Sequence, residues 1–192
     1  MGDKTLKWFL GGILLVIVFV IIMTLVHKND KEEYFNVVDI PKTHNIYNKT
    51  DKKYLDTIVS AGLSVIGIEP SVVILEQLKK KISFESEDGE IVLHAFIKMA
   101  PSPFGNQYII YLADLPKKEY IGVLSHELIH LIQYETGHLQ MYDDYMIWHG
   151  NIIYDDNIPD YRDREWEQDA RGLSPILANE IKEILIPKKD DR

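Results

Sequence analysis

The chain contains no cysteine. That absence excludes disulfides, a thiol nucleophile, iron–sulfur clusters and any cysteine-ligated zinc, so a metal here must be held by His, Asp or Glu. It also excludes latency through a cysteine switch. Long basic runs are missing too. With 21 Lys and Arg against 30 Asp and Glu, the formal charge is -9. Phosphate binding needs a clustered positive surface, so nucleic acid is not the expected partner. Internal repeats are absent. At 192 residues the chain has the length of one ordinary domain with a remainder.

The remainder is at the start. Trp8 to Val26 is nineteen residues without a charge, about 28 Å as a helix, close to the ~30 Å hydrocarbon core of a bilayer. A signal peptide would have a shorter apolar core and a small-residue cleavage site, and the Met23-Thr24-Leu25-Val26-His27-Lys28 end offers none. A buried soluble helix would carry a polar stripe, which is absent. We therefore expect a single-pass membrane protein: a tail at 1–7, an anchor at 8–26 and a stalk at 27–53. Lys4 and Lys7 before the span balance Lys28 and Lys31 after it, so orientation is not set by charge. Tyr34 to Ile40 reads as a short strand, and Asn48-Lys49-Thr50 is formally a glycosylation acceptor.

A globular domain is expected over 54–187, followed by a charged tail, 188–192. Leu55, Ile58, Val59, Leu63 and Ile66 recur with helical rhythm. Pro70-Ser71 reads as the start of a second helix through Val72, Val73, Leu75 and Leu78. Ile91 to Ile97 and Tyr108 to Leu112 read as strands. Pro116 opens a long helix to about Glu135, ahead of Gly137. Met141 to Trp148 is expected helical and Asn151 to Tyr154 extended. Arg162 to Leu173 reads as a helix, and Ser174-Pro175 as the opening of a separate last one.

The long helix carries His126-Glu127-Leu128-Ile129-His130. Histidines at i and i+4 lie on one face a turn apart, so both imidazoles can reach one ion. Glu127 stands beside the first, where its carboxylate can take a proton from a metal-bound water. Val123, Leu131 and Ile132 are apolar, as a buried helix requires on its other sides. The pattern points to zinc. A catalytic zinc takes three protein ligands and leaves one position open. A metzincin would place Gly and His where this chain has Gln133 and Thr136, so that class is rejected. His138, eight residues after His130 with Gly137 between, does not easily fold back onto the same ion, whereas His149 is a more feasible third ligand. Arg164-Glu165-Trp166-Glu167-Gln168-Asp169-Ala170 supplies stronger candidates.

On the His126–His130 motif with Gln133, and on Trp166-Glu167-Gln168-Asp169-Ala170, the chain resembles the gluzincin group of zinc metallopeptidases over about 50 residues. The resemblance implies a zincin-like α+β fold, a small mixed sheet with an active-site helix and C-terminal helices. It also implies a glutamate ligand from a downstream helix, often followed three positions later by a small residue. Glu167 with Ala170 fits that form. Glu165 is the rival, because Asp169 four residues on could then support a ligand histidine. The two glutamates stand about 200° apart on a helix, so only one can face the metal.

The resemblance further implies hydrolysis of peptide bonds in a peptide or protein substrate, with Glu127 as general base. An extended substrate would lie along an edge strand, for which Tyr108 to Leu112 is the candidate. Oxyanion stabilisation falls to one of Tyr134, His149, Tyr154 or Tyr161. His94 reads as structural, and Trp148 and Trp166 as packing residues. Two other functions stay open: a catalytically inactive zincin-fold binding or scaffold protein, and a zinc amidohydrolase acting on a non-peptide amide. Intact Glu127 speaks against the first. A peptide deformylase, which shares the motif, would need the missing cysteine.

Overall fold

The computed structural model describes residues 45–68, 72–86, 89–100 and 105–185. They belong to one compact unit, Ile40–Arg192. The expected anchor, the Tyr34–Ile40 strand, most of the stalk and the charged tail lie outside the described residues. Among the described residues, no helix is long and apolar enough to cross a membrane.

The unit is mixed α+β. β1 (Ile46–Asn48), β2 (Val72–Gln77), β5 (Ala95–Ala100) and β6 (Gln107–Leu112) form a four-stranded sheet in the order β1-β2-β6-β5. β1, β2 and β6 are parallel, whereas β5 runs antiparallel to β6 and closes one edge. β3 (Ile82–Ser86) and β4 (Gly89–Leu93) make a hairpin, and β7 (Leu139–Met141), β8 (Tyr145–Trp148) and β9 (Asn151–Tyr154) a separate antiparallel sheet. Three α-helices complete the described unit: α1 (Tyr54–Ile66), α2 (Tyr120–Glu135) and α3 (Glu165–Leu185).

Several expectations are corrected. Residues 46–48 are not stalk: β1 pairs with β2, so the folded unit begins before Tyr54. Asn48 is tied down there, its amide donating to the Lys52 carbonyl at 3.0 Å. Val72 to Gln77 is a strand, not a helix. Val73 and Leu75 are fully buried and alternate with half-buried neighbours. A strand flanked on both edges by parallel partners shows an apolar run whose spacing mimics a short helix. The expected Ile91–Ile97 strand is interrupted at His94, where β4 gives way to β5. Tyr108–Leu112 is β6, enclosed between β2 and β5, so it is not the edge; β5 is.

Met141–Trp148 is no helix but part of two strands. Met146 and Trp148 alternate inward, and His149 and Gly150, both at positive φ (47° and 81°), make the two-residue turn into β9. Pro175 does not open a helix; it lies inside α3. Buried Ala170 before it and Leu177 and Ile181 after it hold one helix across the missing N–H.

The main core lies between the four-stranded sheet and the helices. Val73, Leu75, Ile110 and Leu112 from the sheet join Leu55, Val59 and Leu63 of α1, Leu124, Leu128 and Leu131 of α2, and Ile181 of α3. A smaller cluster of Leu139, Met146, Trp148 and Trp166 ties the β7–β9 sheet to the start of α3. Both tryptophans are buried in this cluster, and Trp166 also borders a cavity beside His130 and Glu167.

Candidate metal centre

The start of α2 is pinned by Tyr120, whose hydroxyl accepts from the Leu115 amide and donates to the Ala113 carbonyl, each at 3.0 Å. Behind a one-turn 3-10 segment, Lys117–Glu119, the helix enters the core with Leu124, Leu128 and Leu131 inward. His126, Glu127 and His130 then face the gap between α2, β5 and the first turn of α3. Ala170, fully buried, removes side-chain bulk where α3 crosses α2.

Glu167 reaches into that gap. His126 Nε2 and Glu167 Oε2 are 3.3 Å apart, His130 Nε2 and Glu167 Oε1 3.5 Å, and the two Nε2 atoms 3.1 Å. Donors at ~2.0–2.1 Å from a tetrahedral zinc stand about 3.3 Å from one another. The observed separations bracket that figure. Two imidazoles and one carboxylate, largely buried, can hold a metal ion. Of the described residues, only this trio of His, Cys, Asp and Glu side chains converges in this way.

The rival candidates are engaged elsewhere. Glu165 points away and accepts from the Trp148 indole N–H at 2.7 Å, as expected for two glutamates 200° apart. His149 is exposed and packs against His138, ring centroids 4.4 Å apart. Asp169 does not touch a histidine of the trio.

The residue that does is Gln133. Its Nε2 donates to the Trp166 carbonyl and to Asp169 Oδ2, each at 3.0 Å. Both partners are acceptors, so the amide orientation is fixed and Oε1 faces His130 Nδ1 at 2.8 Å. Nδ1 therefore carries a proton, and in neutral His130 the Nε2 lone pair is left aimed at the other two donors of the trio. Without a metal, protons shared with Glu167 hold the three groups together; a cation would take the place of those protons. Sequence reading placed Gln133 in the motif without a role. Its i+3 spacing from His130 was the available signal.

Burial, as well as charge, shapes the titration here. Burial pushes the Glu127 carboxyl up to about 7, against the pull of the His130 and His126 imidazoles. Glu167 is also buried, yet hydrogen bonds from His126 and His130 hold its carboxyl well below the usual carboxylate range. Burial alone would lower His130, but the Glu167 hydrogen bond and the nearby carboxylates raise it on balance.

Two cavities flank the trio. The smaller, about 170 Å³, is bounded by Ile91 to Ala95, Val123, His126, Glu127 and Tyr161. The larger, about 210 Å³, also reaches His126, Glu127 and Tyr161 and extends past Phe96, Ile97 and Tyr134 to Met141 and Arg164. His94, expected as structural, thus borders a cavity beside the site. Of the four oxyanion candidates, Tyr161 borders both cavities. Its ring is held edge-on by Phe84, centroids 5.4 Å apart, and its hydroxyl is pushed up by burial and by the adjacent Glu167 carboxylate. Tyr134 borders the larger cavity only, while Tyr154 and His149 border neither. Arg164, which sequence reading did not single out, gave no signal in the pattern.

Comparison with family models, with curated proteins and with solved structures finds no match to this chain.

Proposed function

We propose that the chain is a membrane-anchored zinc-dependent peptide hydrolase of zincin-like fold. His126, His130 and Glu167 hold the ion, and Trp8–Val26 forms the anchor. The observation that carries the reading is the agreement of the 3.1, 3.3 and 3.5 Å donor separations with a tetrahedral zinc, beside a buried, unligated glutamate. Zinc bound there would acidify a water and polarise a carbonyl oxygen.

The protein's own groups would do the rest. Glu127, 4 % exposed and open to both cavities, would take the proton of the attacking water at its carboxylate and return it to the departing amine nitrogen. The Tyr161 hydroxyl would donate to the oxygen on which negative charge develops. β5 would receive an extended substrate: its outer edge is unpaired among the described residues, and Ala95, Phe96 and Ile97 border the larger cavity.

Zinc stoichiometry and peptide-library cleavage, measured on wild type and Glu127→Gln, test the proposal. One equivalent of zinc in both, with cleavage in wild type reduced ~10²–10⁴-fold in Glu127→Gln, is expected. Zinc without any peptide cleavage would leave a non-peptide amide as substrate, and no zinc would leave a scaffold.

A further inference from the structure

We propose that Arg164 makes this site selective for peptides bearing a free carboxylate next to the bond to be cleaved. The inference rests on the hydrolase reading above and names its substrate class.

Among the described residues, Arg164 is the only Lys or Arg bordering either cavity. From Glu119 to Tyr161 the sequence has neither residue, so α2 and the β7–β9 sheet contribute no Lys or Arg to the cleft. The guanidinium is nevertheless rigidly held. Its Nε donates to the Pro159 carbonyl at 3.2 Å, and its plane lies over the Tyr161 ring at 5.3 Å. Tyr161 in turn stands against Glu167. One aromatic ring therefore separates the guanidinium from the metal trio.

Among the described residues Arg164 has no ion-pair partner. Engaging Nε leaves both Nη groups, a planar fork whose geometry matches a carboxylate. Nor does the position favour a cation for its own sake. Arg164 immediately precedes α3, and its carbonyl accepts from the Glu167 and Gln168 amides. Positive charge at a helix start opposes the helix dipole. An unpaired, pre-oriented guanidinium at an unfavourable helix position, bordering a cavity otherwise rich in apolar side chains, is built to meet an incoming anion. In a peptide hydrolase that anion is either the C-terminal carboxylate of the substrate or an aspartate or glutamate side chain.

The test uses three N-acetylated Ala-Leu-Gln probes: the C-terminal amide, the free acid, and the amide with glutamate replacing glutamine. Binding is measured to zinc-loaded full-length Glu127→Gln and to Glu127→Gln/Arg164→Gln. We expect at least one carboxylate peptide to bind tenfold or more tightly than the neutral one. The second variant should bring that ratio close to one with the neutral affinity unchanged. Preference for the free acid identifies the chain terminus, and preference for the glutamate amide identifies the side chain. Equal binding of all three, persistence of the preference without Arg164, or an equal loss for all three probes overturns the proposal; the last would make Arg164 only a clamp on Pro159 and Tyr161. Failure of the hydrolase reading looks different: the preference persists, but with Glu127 intact no peptide is cut.

Discussion

An imidazole can carry its proton on either nitrogen, and at His130 the choice is made by Gln133. The amide is anchored by two acceptors on α3, so the same residue that orients His130 also fastens the helix bearing Glu167. Gln133→Leu should lower zinc affinity ten- to a hundredfold, the usual scale for a partner of a ligand histidine. Leaving the buried groups unpaired should also cost about 1–3 kcal/mol of stability. Competition with a chelator reads the first and urea unfolding the second; unchanged affinity would mean that packing alone orients the ring. A second consequence concerns pH. In metal-free protein Glu127 titrates at about 7 instead of 4.5. Between those values the folded state keeps a proton that the unfolded state has lost, so stability falls as pH rises, by at most about 3 kcal/mol in all. His130, raised as well, acts in the same sense: its contribution is full below 6.5 and disappears as pH passes its folded value. Glu167, lowered, contributes above about 4.5 and loses its contribution as pH falls. Metal-free protein should thus be most stable near pH 5, and Glu127→Gln should flatten the decline towards pH 8. Zinc needs unprotonated imidazole, so its stabilisation should grow over the same range. Denaturation curves from pH 4 to 8, with and without zinc, check both; metal-free stability rising towards pH 8 would contradict the assignment.

At the scale of elements, α2 is positioned by close packing of its neighbours. Gly62 of α1 lies so near that a Cβ there would stand 2.3 Å from Leu128 Cδ1 and 3.1 Å from Ile181 Cδ1. Leu128 sits between the two histidines and is fully buried, so it has little room to rotate. Gly62→Val should cost about 1–3 kcal/mol through overpacking and weaken zinc binding by displacing α2. Calorimetry with parallel metal titration would show it; loss of stability without loss of affinity would mean that the strain is absorbed in α1. The same packing explains what the sequence did and did not disclose. α1 and α2 were legible because each presents apolar residues at helical spacing over at least three turns. The His126–His130 spacing is itself a helical signal, and Glu167 was favoured through the resemblance, on the small residue three positions later; Ala170 is indeed buried. β2 was misread because Val72 to Leu75 are apolar on both faces, so the sequence does not alternate although the burial does. The expected Met141–Trp148 helix fails because Asp143 and Asp144 form the bend between β7 and β8. The continuity of α3 was hidden because contacts on both sides of Pro175 override a local breaker. Arg164 follows no periodic rule; its significance depends on which carboxylates are absent around it, and only the folded arrangement supplies that.

At the scale of the molecule, the described residues by themselves supply a core and a three-donor set. Zinc binding should therefore be independent of the N-terminal segment, whereas location should depend on it entirely. Trp8–Val26 has the length and apolarity of a bilayer span, and the chain's formal charge of -9 gives it no net attraction to anionic lipid. Full-length protein is expected in the membrane pellet after an alkaline carbonate wash. A chain lacking residues 1–27 should appear in the supernatant, and both should bind one equivalent of zinc. The two readouts separate the two halves of the proposal. Full-length protein released by the wash would remove the anchor and leave the metal centre standing. A truncated chain that folds but no longer holds zinc would show that the N-terminal segment takes part in the site.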